Sequence, residues 1–483
     1  MRRALALVAL WPIVAHAYDF EISATTVGQG DQIRRFQDGE VVLLTRRRVT
    51  QLLGLRVFGF LPAQDPDSGR VVPRLQLVGA LRFDTDFAEF RDNTDEGGIV
   101  VVPELDNDQL DVLSLTVEGR DFLDATTDFR VGRQVVVDPL DYYAFDGGQF
   151  FFHPPIYLGV EGFGGFQVRG TDPLSSPSFE IDGTTDSVLA PDEPEALSPM
   201  FGGAIQTHGL RDVFARASYR RTFSTVAVVA VPTAGADAER TSAIEGIDEE
   251  KLAVSARARI GDGLHPYAGV RWNALTARAD LGEAGVRVAL HPRHAVTPAW
   301  AMAAPDFEGD SIWNLYSTEP YHDASLTYDV VVTRAHPYVI EGYARTLARR
   351  YANEVQDEVT EGSALHHGAG AGARLMFGRG FARVDGRFED GFGGRTAGGD
   401  VSGRFDVLVD SVALEGRVTV LQFQNDVRAE ALKRDMWSLG AQAGARWVLT
   451  DGVALHLLAE ENSNQLYTSY LRLLAMLDLA YVP

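Results

Sequence analysis

Arginine recurs at a spacing of two or four residues along much of this chain: Arg216 and Arg220, Arg257 and Arg259, Arg345 and Arg349, Arg383 and Arg387. Arg130, Arg271, Arg287, Arg404, Arg417 and Arg446 stand alone in segments of the same kind. A guanidinium is a planar fork of donors that binds carboxylate, sulfate or phosphate in pairs of hydrogen bonds. Brought together on one surface, these side chains would hold or attract anions, as rings of one charge do in channels. Acids on the same faces are fewer in this reading: Asp385, Asp406 and Glu415, with Glu283, Glu341 and Glu389. The alternative is that opposite charges pair across neighbouring strands and stiffen a wall. A hydrolytic group can also be drawn from Ser438, His456 and Glu460, or from His366-His367, but no nucleophile elbow or other local signature accompanies it. No metal-ligand spacing, phosphate loop or dinucleotide fingerprint occurs, so no cofactor is expected and the chain reads as no enzyme.

The elements that would position these arginines are strands. From Arg379, alternate residues carry Arg379, Arg383, Asp385, Arg387 and Glu389, while Ala382, Val384 and Phe388 lie between them with Gly380 and Gly386. Side chains of a strand alternate between two faces, so one face is oily and one charged, with Phe381 the exception. Leu439, Ala441, Ala443 and Ala445 oppose Ser438, Gln442 and Arg446, and Val412, Leu414, Val418 and Val420 oppose Glu415, Arg417 and Thr419. A soluble sandwich hides its apolar face in a core and leaves such charge ladders no enclosed water. An all-β transmembrane antiparallel barrel, lipid outside and water inside, satisfies both faces.

Aromatic spacing supports lipid. Trp437 and Trp447 share an apolar face ten residues apart. At about 3.3 Å per residue and a tilt of about 45° they span roughly 23 Å, close to the apolar band of such barrels. Trp272 is expected in the same interfacial girdle, as are Tyr467 and Tyr481 at the ends of the last strand, whose outer face reads Leu471, Leu473, Ala475, Leu477, Leu479.

The chain has 483 residues, 45% of them hydrophobic, and contains no cysteine. No run of about 18 uncharged apolar residues exists to form a transmembrane helix. Ala4 to Ala15, preceded by Arg2 and Arg3 and ending in Ala15-His16-Ala17, reads as a Sec signal peptide over 1–17, with a barrel over 18–483 and location in the Gram-negative outer membrane. The formal charge of −23 becomes −25 without the two leader arginines, which argues against nucleic acid as a partner. Acids crowd segments that read as loops, whereas arginines sit within the alternating segments.

Strands are expected near 466–482, 453–460, 436–449, 412–424, 401–409, 380–390, 364–377, 338–350 and 323–334. Tight turns at Thr450-Asp451-Gly452, Asp410-Ser411, Gly378-Arg379-Gly380 and Ala335-His336-Pro337 alternate with longer polar loops, Gly391–Asp400 among them. Upstream candidates are 19–28, 51–61, 73–87, 110–120, 126–138, 145–153, 155–169, 201–208, 211–222 and Leu252–Ile260, with further alternation around Val270 and Val286. The stretch 292–321 is ambiguous and Ser311–Tyr316 is either strand or loop. The expected total is about 18 strands, within 16–20, a size that leaves an aqueous channel. Arg169 to Ser198 shows no alternation and reads as a surface loop or a constriction folded into the mouth. Arg130, Gly132, Gln134 and Asp138 share an inward face, which places Arg133 with Val131 on the outside unless a bulge shifts the register.

The segment Phe129-Arg130-Val131-Gly132-Arg133-Gln134, followed by Asp138 and Phe145-Asp146-Gly147, resembles the pattern of outer-membrane porins of the alginate-export type. Thr45–Arg48, Leu52–Pro62 and Phe307–Trp313 also look like barrels that accompany exopolysaccharide secretion. The resemblance implies a passive conduit for exopolysaccharide across the outer membrane, with periplasmic polysaccharide-export proteins as partners; a general or solute-specific porin for small molecules shares every physical feature. The molecules in contact would be outer-membrane lipid outside and an anionic or neutral polysaccharide, or small solutes, within. The match carries over no polymer contact residue by residue.

Overall fold

The computed structural model describes residues 19–482 apart from 38–39, 61, 65–70, 87–108, 141, 169–197, 224–246, 248, 305–319, 336, 353–364, 393, 410, 425–434 and 465–466. Strands β1 (Asp19–Gln37) and β2 (Glu40–Phe58) are followed by two short ones, β3 (Pro62–Gln64) and β4 (Val71–Pro73). Next come β5 (Leu75–Asp86), β6 (Gln109–Asp121), a single helical turn α1 (Phe122–Ala125), β7 (Thr127–Val137), β8 (Tyr142–Phe152) and β9 (Leu158–Gln167). The middle of the chain supplies β10 (Ser198–Thr207), β11 (Val213–Thr222), β12 (Glu249–Ala258), β13 (Leu264–Asn273), β14 (Arg278–His291) and β15 (His294–Ala303). The last third supplies β16 (Tyr321–Thr333), β17 (Val339–Tyr351), β18 (Leu365–Phe377), β19 (Gly380–Gly391) and β20 (Arg395–Leu408). It ends with β21 (Val412–Gln424), β22 (Asp435–Thr450), β23 (Val453–Asn464) and β24 (Tyr467–Tyr481).

Each strand except β3 and β4 pairs antiparallel with its neighbours in the chain, and β24 pairs back onto β1. The product is an all-β antiparallel barrel closed from 22 strands, while β3 and β4 form a separate two-stranded ribbon. Closure pairs every strand on both sides, which removes the exposed edges that an open sheet presents.

Twenty-two strands exceed the 16–20 read from sequence and its expected value of 18. The upstream candidates, each uncertain in register, all become separate staves, and β15 arises inside the ambiguous stretch. Pro298 hides β15 from a reading of propensity, since proline cannot donate to a ladder. The sheet tolerates it locally: pairing with β14 is interrupted between Gly285↔Ala299 and Val288↔Val296, then resumes in the same register. The long loop expected over Gly391–Asp400 is also corrected. Arg395 to Asp400, rich in glycine, is the start of β20, because partners on β19 and β21 supply a ladder on both sides and tertiary pairing overrides weak strand propensity. Downstream of residue 320 the nine expected strands are all present within a few residues. The proposed leader, the stretch 169–197, Ser311–Tyr316 and Phe307–Trp313 lie outside the described residues.

Register fixes which residues share a face. Across β16 to β19, Thr327, Arg345, Gly370 and Arg387 stand opposite one another, and Asp323, Arg349, His366 and Gly391 form another row. The other face carries Leu326, Val384, Phe388, Val401, Phe405, Leu414, Val418, Val420, Leu439, Leu457 and Leu473, all large, apolar and exposed. This is the outer wall. Trp272, Trp437, Trp447 and Tyr481 lie on it, exposed, as does Trp300, while Tyr467 belongs to β24.

Candidate functional site

The inner wall is identified by contacts between strands that are not neighbours. The Leu140 carbonyl, in the connection between β7 and β8, accepts a hydrogen bond of 2.7 Å from Arg271 Nη1 on β13. Six strand spacings of about 4.8 Å amount to roughly 29 Å along the wall, far beyond the reach of a side chain. The segment after Val137 must therefore turn into the barrel and cross part of its interior. Asp138 reinforces the turn: one carboxylate oxygen accepts from the Leu140 N–H at 2.8 Å, and the other takes Arg216 Nη2 of β11 at 3.2 Å. Arg216 meets Glu161 of β9 as well, at 2.7 Å. Leu140 ends fully buried. Asp138-Pro139 is a turn-forming pair, a sequence signal for the bend though not for its direction.

Beneath this segment the arc from β7 to β12 packs a small core inside the barrel. Val136, Tyr143, Phe145, Phe163 and Met200 are buried together, with the Tyr143, Phe145 and Phe163 rings 5.6 to 6.1 Å apart. Arg220 lies 4.3 Å from the Tyr143 ring centre and also bonds Glu249, which takes Lys251 too. On β13, Arg271 grips both oxygens of Asp280 at 3.0 and 2.9 Å. These charges are buried, and each is compensated, as burial demands.

The arc from β16 to β24 differs. Arg349 makes a two-point bond to Asp323 at 2.6 and 2.9 Å. Arg383 is bound to Asp385, which also accepts from Tyr343 at 2.7 Å. Arg417 pairs with Asp400, Arg404 with Asp406 at 3.2 Å, and Arg472 with Glu460. Here the pairs line open space: the Arg383, Arg404 and Arg417 side chains are 40–56% exposed.

Most arginines singled out from sequence thus have acids the sequence reading did not assign to them. Glu161, Glu249, Asp280, Asp323 and Asp400 were missed because each sits on a different strand from its arginine, at a distance along the chain that only register converts into contact; Asp138 was read as inward-facing, but its link to Arg216 was not. Arg257 packs instead over the Phe214 ring at 4.9 Å. Arg130 lies 3.5 Å from Glu118 and faces the Phe151 ring at 5.9 Å. Arg259 falls in the turn after β12, 60% exposed beside Asp212 and Asp262, so it stands at a rim and not within the wall. Arg287, Arg345, Arg387 and Arg446 have no ion-pair partner among the described residues. Glu415 lies opposite Arg404 across the β20–β21 ladder. Arg345 and Arg387 flank Gly370 from either side, and no side-chain atom lies within 3.4 Å of where a Gly370 Cβ would be. At the neighbouring Gly372, by contrast, Asp385 and Tyr343 cover the strand. Toward the short-turn end, Arg287, Arg374 and Arg383 line a cavity of about 680 Å³ with Asp262, Glu341 and Asp385.

Arg133 resolves as an outward-facing residue. Its guanidinium forms a fork with Asp146 of β8 at 2.8 and 2.7 Å and donates at 3.1 Å to the Val112 carbonyl. The β5–β6 ladder shifts register beside Val112, between Ala80 and Leu81, so the arginine binds next to a bulge.

The hydrolytic grouping does not assemble. Ser438 stands opposite Asn464, and His456 opposite Arg446, eight residues along the strand and roughly 27 Å away. His456 instead meets Asp478 at 3.3 Å, and Glu460 is taken by Arg472. His366 bonds Glu389 at 3.3 Å while His367 lies on the opposite face.

Solved structures resemble the barrel in outline. Acinetobacter baumannii OccAB4 aligns with a TM-score of 0.44 at 7% identity, over 96% of this chain and 98% of that one. Pseudomonas aeruginosa OccK2 (OpdF) in complex with glucuronate aligns at 0.43 and 9%, over 96% and 98%. Pseudomonas aeruginosa OccK8 (OprE) gives 0.43 and 9%, over 96% and 99%. No protein-family model matches the chain, and no curated protein sequence is significantly similar to it. The resemblance to alginate-export porins finds no support in these comparisons.

Proposed function

We propose that the chain is an outer-membrane channel through which small solutes, anions preferred, diffuse passively. The observation that carries this reading is the Asp138–Leu140 segment, held across the interior by Arg216 and Arg271. It narrows a 22-stranded barrel whose bare circumference would admit far larger cargo. A conduit for polymer chains needs a clear bore, so the segment favours a diffusion channel over exopolysaccharide export. The alternating wall, with apolar residues outward and the exposed tryptophans among them, supports placement in lipid.

Selectivity rests on the arginines that ion pairs leave over. Arg130, Arg257, Arg271, Arg287, Arg345, Arg349, Arg383, Arg387, Arg404, Arg417 and Arg446 line the pore in this proposal, together with Asp385, Asp406 and Glu415, whereas Arg216 and Arg220 point inward but are buried in the packed core and so do not line it. Those already neutralised build the wall; Arg287, Arg345, Arg387 and Arg446 project net positive potential into the water. Trp272, Trp437, Trp447 and Tyr481 form the girdle where the wall meets the interfaces.

Planar-bilayer recording under a salt gradient tests this directly. Discrete conductance with anions more permeant than cations is expected, and the double variant Arg345→Glu/Arg387→Glu should move the reversal potential toward cations. Cation preference in the unmodified protein overturns the selectivity reading. Liposome swelling that is rapid for monosaccharide-sized carboxylates and absent for oligomers is expected; free passage of long oligosaccharides would restore the export reading.

A further inference from the structure

The structure assigns a divalent-cation site to the short-turn end of the barrel, built from Asp121, Asp128 and His153. Sequence offers no sign of it, since the three ligands lie at the end of β6, at the start of β7, and in the β8–β9 turn. The fold brings one ligand atom of each within 4.8 Å of the others.

The detail of the cluster argues for an ion. The Asp121 N–H holds Asp128 Oδ1 at 2.8 Å, which aims Oδ2 at His153 Nδ1. These two atoms stand 4.0 Å apart, too far for a hydrogen bond but close enough for one ion at about 2.1 Å from each to bridge them, drawing them slightly together toward tetrahedral spacing. The cluster also lacks a competing cation. The nearby guanidinium groups of Arg120 and Arg130 lie 3.3 and 3.5 Å from Glu118, and no arginine pairs with Asp121 or Asp128 among the described residues. Two carboxylates therefore face an imidazole with no guanidinium or ammonium paired with them among the described residues.

The surroundings suit a bound ion. Asp121, Asp128 and His153 line a cavity of about 610 Å³; Asp121 is exposed, while the Asp128 and His153 side chains are 36% and 14% exposed, so solvent reaches the site and can complete an ion's coordination. The His208 ring of the β10–β11 turn packs on His153, centroids 4.7 Å apart, and limits its tilt. Backbone bonds join the turns, His153 N–H to the Thr126 carbonyl and His208 N–H to the Tyr157 carbonyl, each 2.8 Å. One imidazole with two carboxylates is a donor set for zinc or a similar borderline divalent ion, completed by water. Bound there, the ion would clamp turns that otherwise meet through backbone hydrogen bonds and the His153–His208 ring contact.

Calorimetry of the detergent-solubilised full chain with zinc chloride, in a buffer that does not chelate, tests the site. One saturable equivalent per chain is expected. Asp128→Asn and His153→Ala should each weaken it by about 100-fold or more, since losing even a partner that only supports a ligand costs a metal site about 10–100-fold. His366→Ala, on the far side of the barrel, should leave it unchanged. Because a turn variant can fail to fold, each is checked for heat-modifiable gel mobility. Cobalt(II) absorption of the unmodified protein gives a second reading, with an imidazole–carboxylate spectrum expected. Absence of saturable zinc binding, binding that survives both variants, or a cobalt spectrum of the free aqua ion each overturns the assignment. None of these results depends on whether the barrel conducts.

Discussion

Two arcs of one barrel solve the same problem in opposite ways. From β7 to β13 the strands run 10 or 11 residues, and the inner face is crowded with buried side chains, apolar and charged. From β16 to β24 they run 12 to 16 residues, and the inner face is arginine, carboxylate and glycine against open space. In the second arc only His366, Gly394 and Ala413 are buried among the described residues. The lesson is that a barrel wall with water on one side needs no interior core, so a core inside it is there to hold something. Here it holds the Asp138–Leu140 segment across the bore.

The contrast can be broken by substitution. The largest effect is expected at Arg216→Ala, which leaves Asp138 and Glu161 buried without their cation. A loss of about 3–5 kcal/mol, the usual cost of orphaning a buried charge, should appear in urea unfolding from lipid vesicles, with a larger single-channel conductance as the segment swings free. Unaltered conductance in a folded Arg216→Ala barrel would mean that the segment does not limit the bore.

Arg133→Ala comes next. Asp146 would then stand alone on the outer wall and the Val112 carbonyl would lose its donor. A cost of about 1–3 kcal/mol is expected from the unsatisfied groups, with conductance unchanged because nothing within the bore moves. A change in ion selectivity would contradict the outward placement.

The smallest effect belongs to the open arc. Arg383→Ala removes a pair whose arginine is 51% exposed, and such pairs contribute only about 0–1 kcal/mol. Unfolding should scarcely register it, whereas the reversal potential should shift slightly as Asp385 is uncovered. A loss comparable to that of Arg216→Ala would erase the distinction between the arcs. Brominated lipids sharpen the frame common to both: they should quench Trp437 and Trp447, and protection of both would place those faces away from lipid.

How much was readable varies along the ring in the same way. In the open arc, alternation alone located nine strands and the faces of Arg345, Arg383, Arg387, Arg417 and Arg446, since each residue there obeys a single rule, oil outward and charge inward. In the packed arc that rule is confused by Tyr143, Phe145 and Phe163, apolar side chains that point inward, and by Arg133, a charge that points out. Pro298 concealed one strand further on. The overestimate of free arginine has another origin: the missed partners lie from nine residues away, for Arg271 and Asp280, to 78 away, for Arg216 and Asp138, and a list of positions does not contain register.

By itself the order of residues determined a two-faced wall, because a strand's side chains alternate whatever its neighbours are, so apolar residues gather on one face and charged ones on the other. Only the closed barrel decided which arginines are neutralised, where the chain turns inward at Asp138, and that Asp121, Asp128 and His153 meet. Those outcomes depend on distances across the ring, and such distances exist only once β24 has found β1.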